Sequence, residues 1–288
     1  MMKTMLEWQD ITRQGAHQSI EALRQKQRDV RDTVELAADV REDHPQMGCR
    51  DMYWAKRGKM PRGRDWTEQV LLNCGYRVKK KPRSFTQAGE DICPNLIEGR
   101  NITHINQVWQ TDITYVWTGR RWYYVSFVID VFNRQIIARH CSRDLSSMSQ
   151  VRCLKKAVKS QKGSDLSTLI VHTDRGVQYT SNHYKKYLKD HEIRHSMAHF
   201  AWQNAYCERV NRTIKENYLN YYRIEDYDTL CSGVGKAVRL YNCSKPHSNL
   251  PSRLSPAEFT EAFKRGEYSD YHVKVWSKLT SIKMLNVN

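Results

Sequence analysis

The sequence predicts a mixed α/β fold in which three consecutive antiparallel strands lead into alternating helices and strands, behind a small basic helical region. Three observations predict it. The runs Val108 to Trp117, Trp122 to Asp130 and Gln135 to Cys141 are rich in β-branched and aromatic residues, with Gly119 and Asn133 between them as turn residues. Leu145, Met148, Val151, Leu154 and Val158 then form a helical stripe, and Leu169-Ile170-Val171 is a short buried strand. Residues 47–85 carry eleven Lys/Arg against three acids, among two short helical patterns.

Taken in order, Gln18 to Val40 place Ile20, Leu23, Val30, Val34 and Ala37 at loose helical spacing among many charges, which reads as an exposed amphipathic helix (1–42). His44-Pro45 breaks it. Arg50 to Lys56 and Asp65 to Cys74 are two short helices separated by the turn Gly58 to Gly63, and Gly75 ends the second. This helix-turn-helix-like region (43–85) is suited to DNA contact through Arg62, Arg64, Lys79, Lys80 and Lys81. Residues 86–103 mix Gly, Pro, Asn and acids and read as a linker. The strands open the core (104–225), which continues with a helix around Tyr184 to Leu188, a strand from Ile193 to Met197 and a long helix from Ala205 to about Tyr222. The last of these sets Val210, Ile214, Tyr218 and Tyr221 on one stripe. Residues 226–288 form a helical tail. The order βββαβαβα makes the core a layered α/β fold.

Composition limits the function classes. Lys+Arg exceed Asp+Glu by 47 to 31, a formal charge of +16, so a polyanion, foremost nucleic acid, is the expected partner. Eight cysteines without a CxxC pair predict free thiols in a reducing compartment. The absence of a long apolar run excludes a helical membrane span and points to a cytoplasmic protein. His195 and His199 have metal-ligand spacing but lack the Cys pair that would complete a zinc site.

Three carboxylates carry the chemistry. Asp112 sits inside VWQTDITYVW, where burying an acid among apolar side chains is costly unless a cation supplies charge. Asp174 follows the strand of LIVHTD, at the carboxyl edge where α/β sheets build their sites. On the last helix, Val210, Ile214 and Tyr218 define the buried stripe, so Glu208, Arg212 and Lys215 share another face; at about 100° per residue, Lys215 stands about 20° from Glu208. Such a helix presents an acid to metal and a lysine to phosphate. Three carboxylates suit two Mg²⁺ or Mn²⁺ ions, which clamp the attacking and leaving oxygens of an in-line phosphoryl displacement. Asp130, at a strand end, reads instead as an acid bonding its own backbone, and His172 as a packed core histidine.

The segments VWQTDITYV, HTDRGVQYTS and QNAYCERVNRTIKEN resemble the second-reading-frame product of bacterial insertion-sequence transposases, and YNCSKPHSNLPSRLSPAEF is similar to that family's tail motif. Thirty-three residues separate Asp174 from Glu208, within the family's spacing. HPQMGCRDMY and NCGYRVKKKP more weakly resemble its helical region. Lys245 stands where Arg is common before Pro-His, and Cys207 precedes the acid. The resemblance implies an RNase H-like, retroviral-integrase-type mixed sheet flanked by helices. It further implies a DDE transposase that cleaves and joins DNA, with Asp112, Asp174 and Glu208 as metal ligands. Asn204, Asn211, Arg212 and Lys215 would then support DNA or ligand positioning. Transposon ends and target DNA, further copies of the chain on DNA, and an upstream-frame helix-turn-helix protein as fusion or partner are the implied partners. MMKTMLEWQD and the lack of sustained heptads suit the second half alone. The alternatives are an RNase H-like structure-specific nuclease and a non-catalytic DNA-binding regulator.

Overall fold

The computed structural model describes residues 12–78 and 93–275, and the chain divides into two compact units, Met1–Lys80 and Lys81–Asn288. Lys79, Lys80 and Lys81 lie outside the described residues, as do residues 86–92 of the predicted linker.

In the first unit a long helix, α1 (Arg13–Asp43), starts where Thr12 Oγ1 accepts the Gly15 amide at 3.1 Å. It ends before Pro45, which cannot continue a helix. Two short helices follow, α2 (Cys49–Ala55) and α3 (Arg64–Asn73), within a residue of their predicted bounds. Gly75, at φ 85°, closes α3: its amide donates to Leu72 O, and the Tyr76 amide reaches back to Leu71 O at 2.9 Å. The predicted stripe of α1 is only half right. Ile20 and Leu23 are 51% and 60% exposed, and the buried line is Asp29, Thr33, Ala37 and Val40. Two of those four positions are polar, so apolar spacing alone could not reveal the face. Ala37 and Val40 pack with Met47, Cys49, Met52 and Leu71, while buried Asp29 takes an ion pair from Arg62 at 2.6 Å.

The second unit is built on a five-stranded mixed sheet. Its strands are β2 (Val108–Trp117), β3 (Trp122–Asp130), β4 (Ile136–Ser142), β5 (Ile170–Thr173) and β6 (Arg194–Met197), in the order β4-β3-β2-β5-β6. The sequential strands β2, β3 and β4 pair antiparallel, and β5 joins β2 in parallel, with β6 parallel to β5. Parallel pairing requires helical crossovers. These are α4 (Ser147–Ser160), between β4 and β5, and the pair α5 (Val177–Thr180) and α6 (Asn182–Asp190), between β5 and β6. Val151, Leu154 and Ala157 of α4 pack with Tyr184 and Leu188 of α6 under Trp109, Val128 and Val171 on one face of the sheet.

The other face is covered by α7 (Ala205–Asn217) and α8 (Tyr227–Cys243), whose Cys207, Val210, Ile214, Leu230, Val234 and Tyr241 pack on Val116, Val125, Phe127 and Ile129. The predicted long helix stops at Asn217, five residues early. A 3-10 turn, Leu219–Tyr221, follows; Tyr218 stays buried but Tyr221 is turned out, 50% exposed. Helix α8 is locked to the edge strand by Asn242, whose side chain accepts the Ile136 amide at 3.0 Å and donates to Ile136 O at 2.9 Å.

Beyond the sheet, α9 (Pro256–Lys264) surrounds Phe132 with Phe259 and Phe263, ring centroids 5.7 and 4.8 Å away. Strand β7 (Val273–Lys274) returns to pair with β1 (Asn101–Ile102). The end of the stretch read as a linker is thus a strand, because its partner arrives from a place in the chain about 170 residues away. No described helix is long and apolar enough to cross a membrane.

Candidate functional site

Sheet register brings the first two acids together. The parallel ladder pairs Val108 with Ile170, Trp109 with Val171 and Gln110 with His172. Two residues beyond the last pair on each chain stand Asp112 and Asp174. Side chains repeat every second residue along a strand, so Asp112 continues the face of Gln110 and Asp174 that of His172. Because β5 ends at Thr173 while β2 runs on to Trp117, the sheet opens at this point, the carboxyl end of a parallel strand.

The third acid is placed by a polar network that ties the start of α7 to β2. Gln110 Nε2 donates to Gln203 O at 3.2 Å, and Gln110 Oε1 accepts the Cys207 amide at 3.2 Å. Asn204 Nδ2 donates to Thr111 O at 3.3 Å, and Asn211 Nδ2 to Asp112 Oδ2 at 2.8 Å. With Cys207, Val210, Asn211 and Ile214 turned to the sheet, Glu208 emerges in the first turn of α7 on the side of the two aspartates. Arg212, one turn on, is exposed, and Lys215 is partly buried.

Each carboxylate is held locally. The other oxygen of Asp112 accepts the Ile113 amide at 2.8 Å. Asp174 Oδ1 accepts the Gly176 amide at 2.9 Å, in a turn so tight that a Cβ on Gly176 would come within 3.0 Å of that oxygen. Burial, then the charge of Asp174 and, more weakly, that of Glu208, push the Asp112 carboxyl up to about 8. Burial likewise raises Asp174, against the Gly176 amide. Glu208 is raised by burial and by Asp174, while Arg212 pulls it back down. Asp174 disfavours the ionisation of both Asp112 and Glu208, so the three carboxylates share one electrostatic neighbourhood that a hard divalent cation would relieve. Among the described residues no group of three or more His, Cys, Asp or Glu side chains stands close enough to hold a metal ion as placed.

The other site expectations divide. Asn204 and Asn211, expected to support DNA or ligand positioning, are buried; the first fastens α7 to β2 and the second orients Asp112. Arg62 and Arg64 belong to the first unit, where Arg62, its side chain still partly exposed, pairs with Asp29 and Arg64 pairs with Asp65. Asp130 bonds backbone as predicted, accepting the amides of Asn106 at 2.6 Å and Phe132 at 2.8 Å. His172 is fully buried, with Nδ1 2.8 Å from Ser196 Oγ. His195 contacts Cys93 Sγ and Thr173 Oγ1. All eight cysteines are free.

Sequence reading missed Gln110, Gln203 and Arg175. The signal for Gln110 was present, since a neutral amide in the middle of an apolar strand needs a buried partner. Arg175 spans from Asp174 to the loop before α7, donating to Ala198 O at 3.0 Å and to His199 O. Nothing local in the sequence marks that reach.

An integrase core domain family model matches residues 103–200, and a second model of the same description matches 189–254. The transposase for insertion sequence element IS904 of Lactococcus lactis subsp. lactis (strain IL1403) is 31% identical over 190 residues, 64% of this chain and 73% of that protein. An uncharacterized 31 kDa protein of insertion element IS600 from Shigella sonnei is 29% identical over 202 residues, 68% of this chain and 72% of the relative. The transposase InsF for insertion sequence IS3fB of Escherichia coli (strain K12) is 36% identical over 157 residues, 52% of this chain and 54% of its own length. Among solved structures, the HTLV-2 integrase catalytic core domain in complex with magnesium is similar at 20% identity and a TM-score of 0.43, covering 58% of this chain and 99% of that one. With an integrase core over the five-stranded sheet and a transposase relative matched along nearly three quarters of its length, this chain belongs to the insertion-sequence transposase family.

Proposed function

We propose that the chain is a DDE-type polynucleotidyl transferase that cleaves DNA at transposon ends and joins it to a target, with Asp112, Asp174 and Glu208 as the ligands of two Mg²⁺ or Mn²⁺ ions. The observation that supports this reading is that the charge of Asp174, at the end of β5, raises both Asp112 on β2 and Glu208 in the first turn of α7. When bound, such a pair of ions activates an attacking water or 3′-hydroxyl and stabilises the departing oxygen.

The chain's own residues orient and hold. Asn211 fixes one oxygen of Asp112 and the Ile113 amide the other. The Gly176 amide sets the direction of Asp174. Gln110, Asn204 and the amide of Cys207 set the height of α7, and with it Glu208. Arg212 and Lys215, on the same helical face, supply positive charge for the backbone of the reacting strand. Arg62, Arg64, Lys79, Lys80 and Lys81 supply a second basic region for DNA, and the chain acts as a homo-oligomer on DNA, with an upstream-frame helix-turn-helix protein as fusion or partner.

The test is a cleavage and strand-transfer assay on labelled transposon-end DNA, using the full chain with any upstream partner it needs. Nicked and joined products are expected in Mg²⁺ or Mn²⁺ and neither in chelator. Activity undiminished by chelation overturns the metal reading, and hydrolysis without joined product leaves a nuclease instead.

Asn211 provides a second check. Truncation to Ala removes the bond that aims Asp112, and losing a partner of this kind at a metal site costs about 10–100-fold in metal affinity or activity. Metal titration by calorimetry alongside the cleavage assay reads both. An unchanged metal affinity and rate would show that Asn211 only packs.

A further inference from the structure

The hairpin of β2 and β3 continues past the two aspartates and carries a line of aromatic side chains that the core does not use. Tyr115 stands opposite Tyr124 and Trp117 opposite Trp122. Their neighbours Val116 and Tyr123, on the other face of the same strands, are buried in the core. Tyr115, Trp117 and Trp122 are instead 45%, 52% and 49% exposed. Leaving three large aromatic rings half in water is costly unless something covers them.

Ring geometry and charge indicate what covers them. The Tyr115 and Tyr124 rings meet edge to face at 5.3 Å and 75°, and the two indoles lie at 5.2 Å and 51°. Neither pair is stacked, so flat faces stay available to a further π system. The turn at the far end carries Arg120 and Arg121, and there is no Asp or Glu anywhere from Ile113 to Ile129. A polyanion is matched by that charge. At the near end Tyr115 stands three residues beyond Asp112 on β2 and on the opposite face of the strand; burial, then Tyr124, and then the charges of Asp112 and Asp174 raise its hydroxyl above its usual range.

We infer that the Tyr115–Tyr124 and Trp117–Trp122 pairs form a stacking platform for unpaired bases of the DNA strand being processed, with Arg120 and Arg121 receiving its phosphates. This rests on the proposed polynucleotidyl transfer at Asp112, Asp174 and Glu208. Aromatic platforms beside basic groups bind single-stranded nucleic acid with little sequence preference, because every base has a π face. A strand end whose last bases are splayed from the duplex is thereby held on the hairpin that runs on from Asp112, on the sheet face opposite that side chain.

The experiment measures binding of the full chain, in chelator so that nothing is cleaved, to a blunt duplex and to the same duplex with a short unpaired 3′ extension containing 2-aminopurine. The parent is expected to bind the extended duplex about tenfold more tightly and to quench the 2-aminopurine. Replacing Trp117→Ala and Trp122→Ala together should abolish both the preference and the quenching while blunt-duplex binding persists. Trp117→Phe with Trp122→Phe should retain both, since a π face remains. The inference is overturned if the parent shows no preference and no quenching, or if the double Ala variant keeps both. It is equally overturned if that variant instead changes the oligomeric mass in sedimentation with its DNA preference intact, which would assign the surface to a second copy of the chain. A parent that binds neither duplex removes the DNA reading itself, an outcome distinct from loss of the extension preference alone.

Discussion

Asp174→Asn is expected to lower strand cleavage and strand joining together by about a thousandfold or more, with DNA binding intact. Asn reproduces the shape of Asp and keeps an oxygen to accept the Gly176 amide, so the turn at the end of β5 has no reason to change. What is lost is one negative charge in the donor set for a divalent ion. Removing it also lessens repulsion of the phosphates, so affinity for DNA should hold or rise. Both reactions should fall in parallel, because one site serves attack by water and attack by a 3′-hydroxyl. Parallel cleavage and strand-transfer time courses in Mg²⁺ and Mn²⁺, with circular dichroism to show the variant folded, decide the matter. A folded variant with near-parental rates would remove Asp174 from the chemistry, and selective loss of one reaction would rule out a single shared site.

Asp112→Asn should do the opposite to stability, making the metal-free protein more resistant to heat. The Asp112 carboxyl is pushed up to about 8 by burial and by its acidic neighbours. In the unfolded chain it titrates near 4. The unfolded state therefore releases its proton first, and the folded state loses stability as pH rises from about 4 to about 8, with no contribution below that window. Because Asp112 is partly accessible to solvent, the gain on replacement is discounted to about 2 kcal/mol at neutral pH. For a unit of this size that is a rise in Tm of about 4–8 °C. Thermal melts of parent and variant in chelator at pH 5 and pH 8 test both parts: the gap should be small at the lower pH and wide at the higher. A variant that melts below the parent at pH 8 would show that Asn211 and the Ile113 amide already compensate the charge. Adding Mg²⁺ should stabilise the parent more than the variant, by mass action on the folded state.

These expectations depend on features that differ in how they are encoded. The strands β2, β3 and β4 were legible because β-branched and aromatic runs, separated by turn residues, specify pleated structure within a few neighbours. The helices α2, α3, α4 and α6 were legible from apolar spacing. The face of α1 was not, because it is built with Asp29 and Thr33. Asp29 is tolerated inside only because Arg62, 33 residues later, supplies the opposite charge.

By itself the sequence determined most elements of the core and their order, and it marked three acids as costly or well placed, since each follows from side-chain chemistry and short-range spacing. Tertiary structure alone decided how those acids meet. The register that sets Gln110 beside His172, and so Asp112 beside Asp174, is a property of two strands about 60 residues apart. It also showed how Asn204 and Asn211, expected to support DNA or ligand positioning, are used inside the unit, the first fastening α7 and the second aiming Asp112, because only folding showed that they are buried and which groups they reach. The pairing of β1 with β7 and the exposed line of Tyr115, Trp117, Trp122 and Tyr124 were hidden for the same reason. Local sequence specifies which residues favour a strand, whereas the neighbour that covers each face of that strand is chosen by packing across the whole unit.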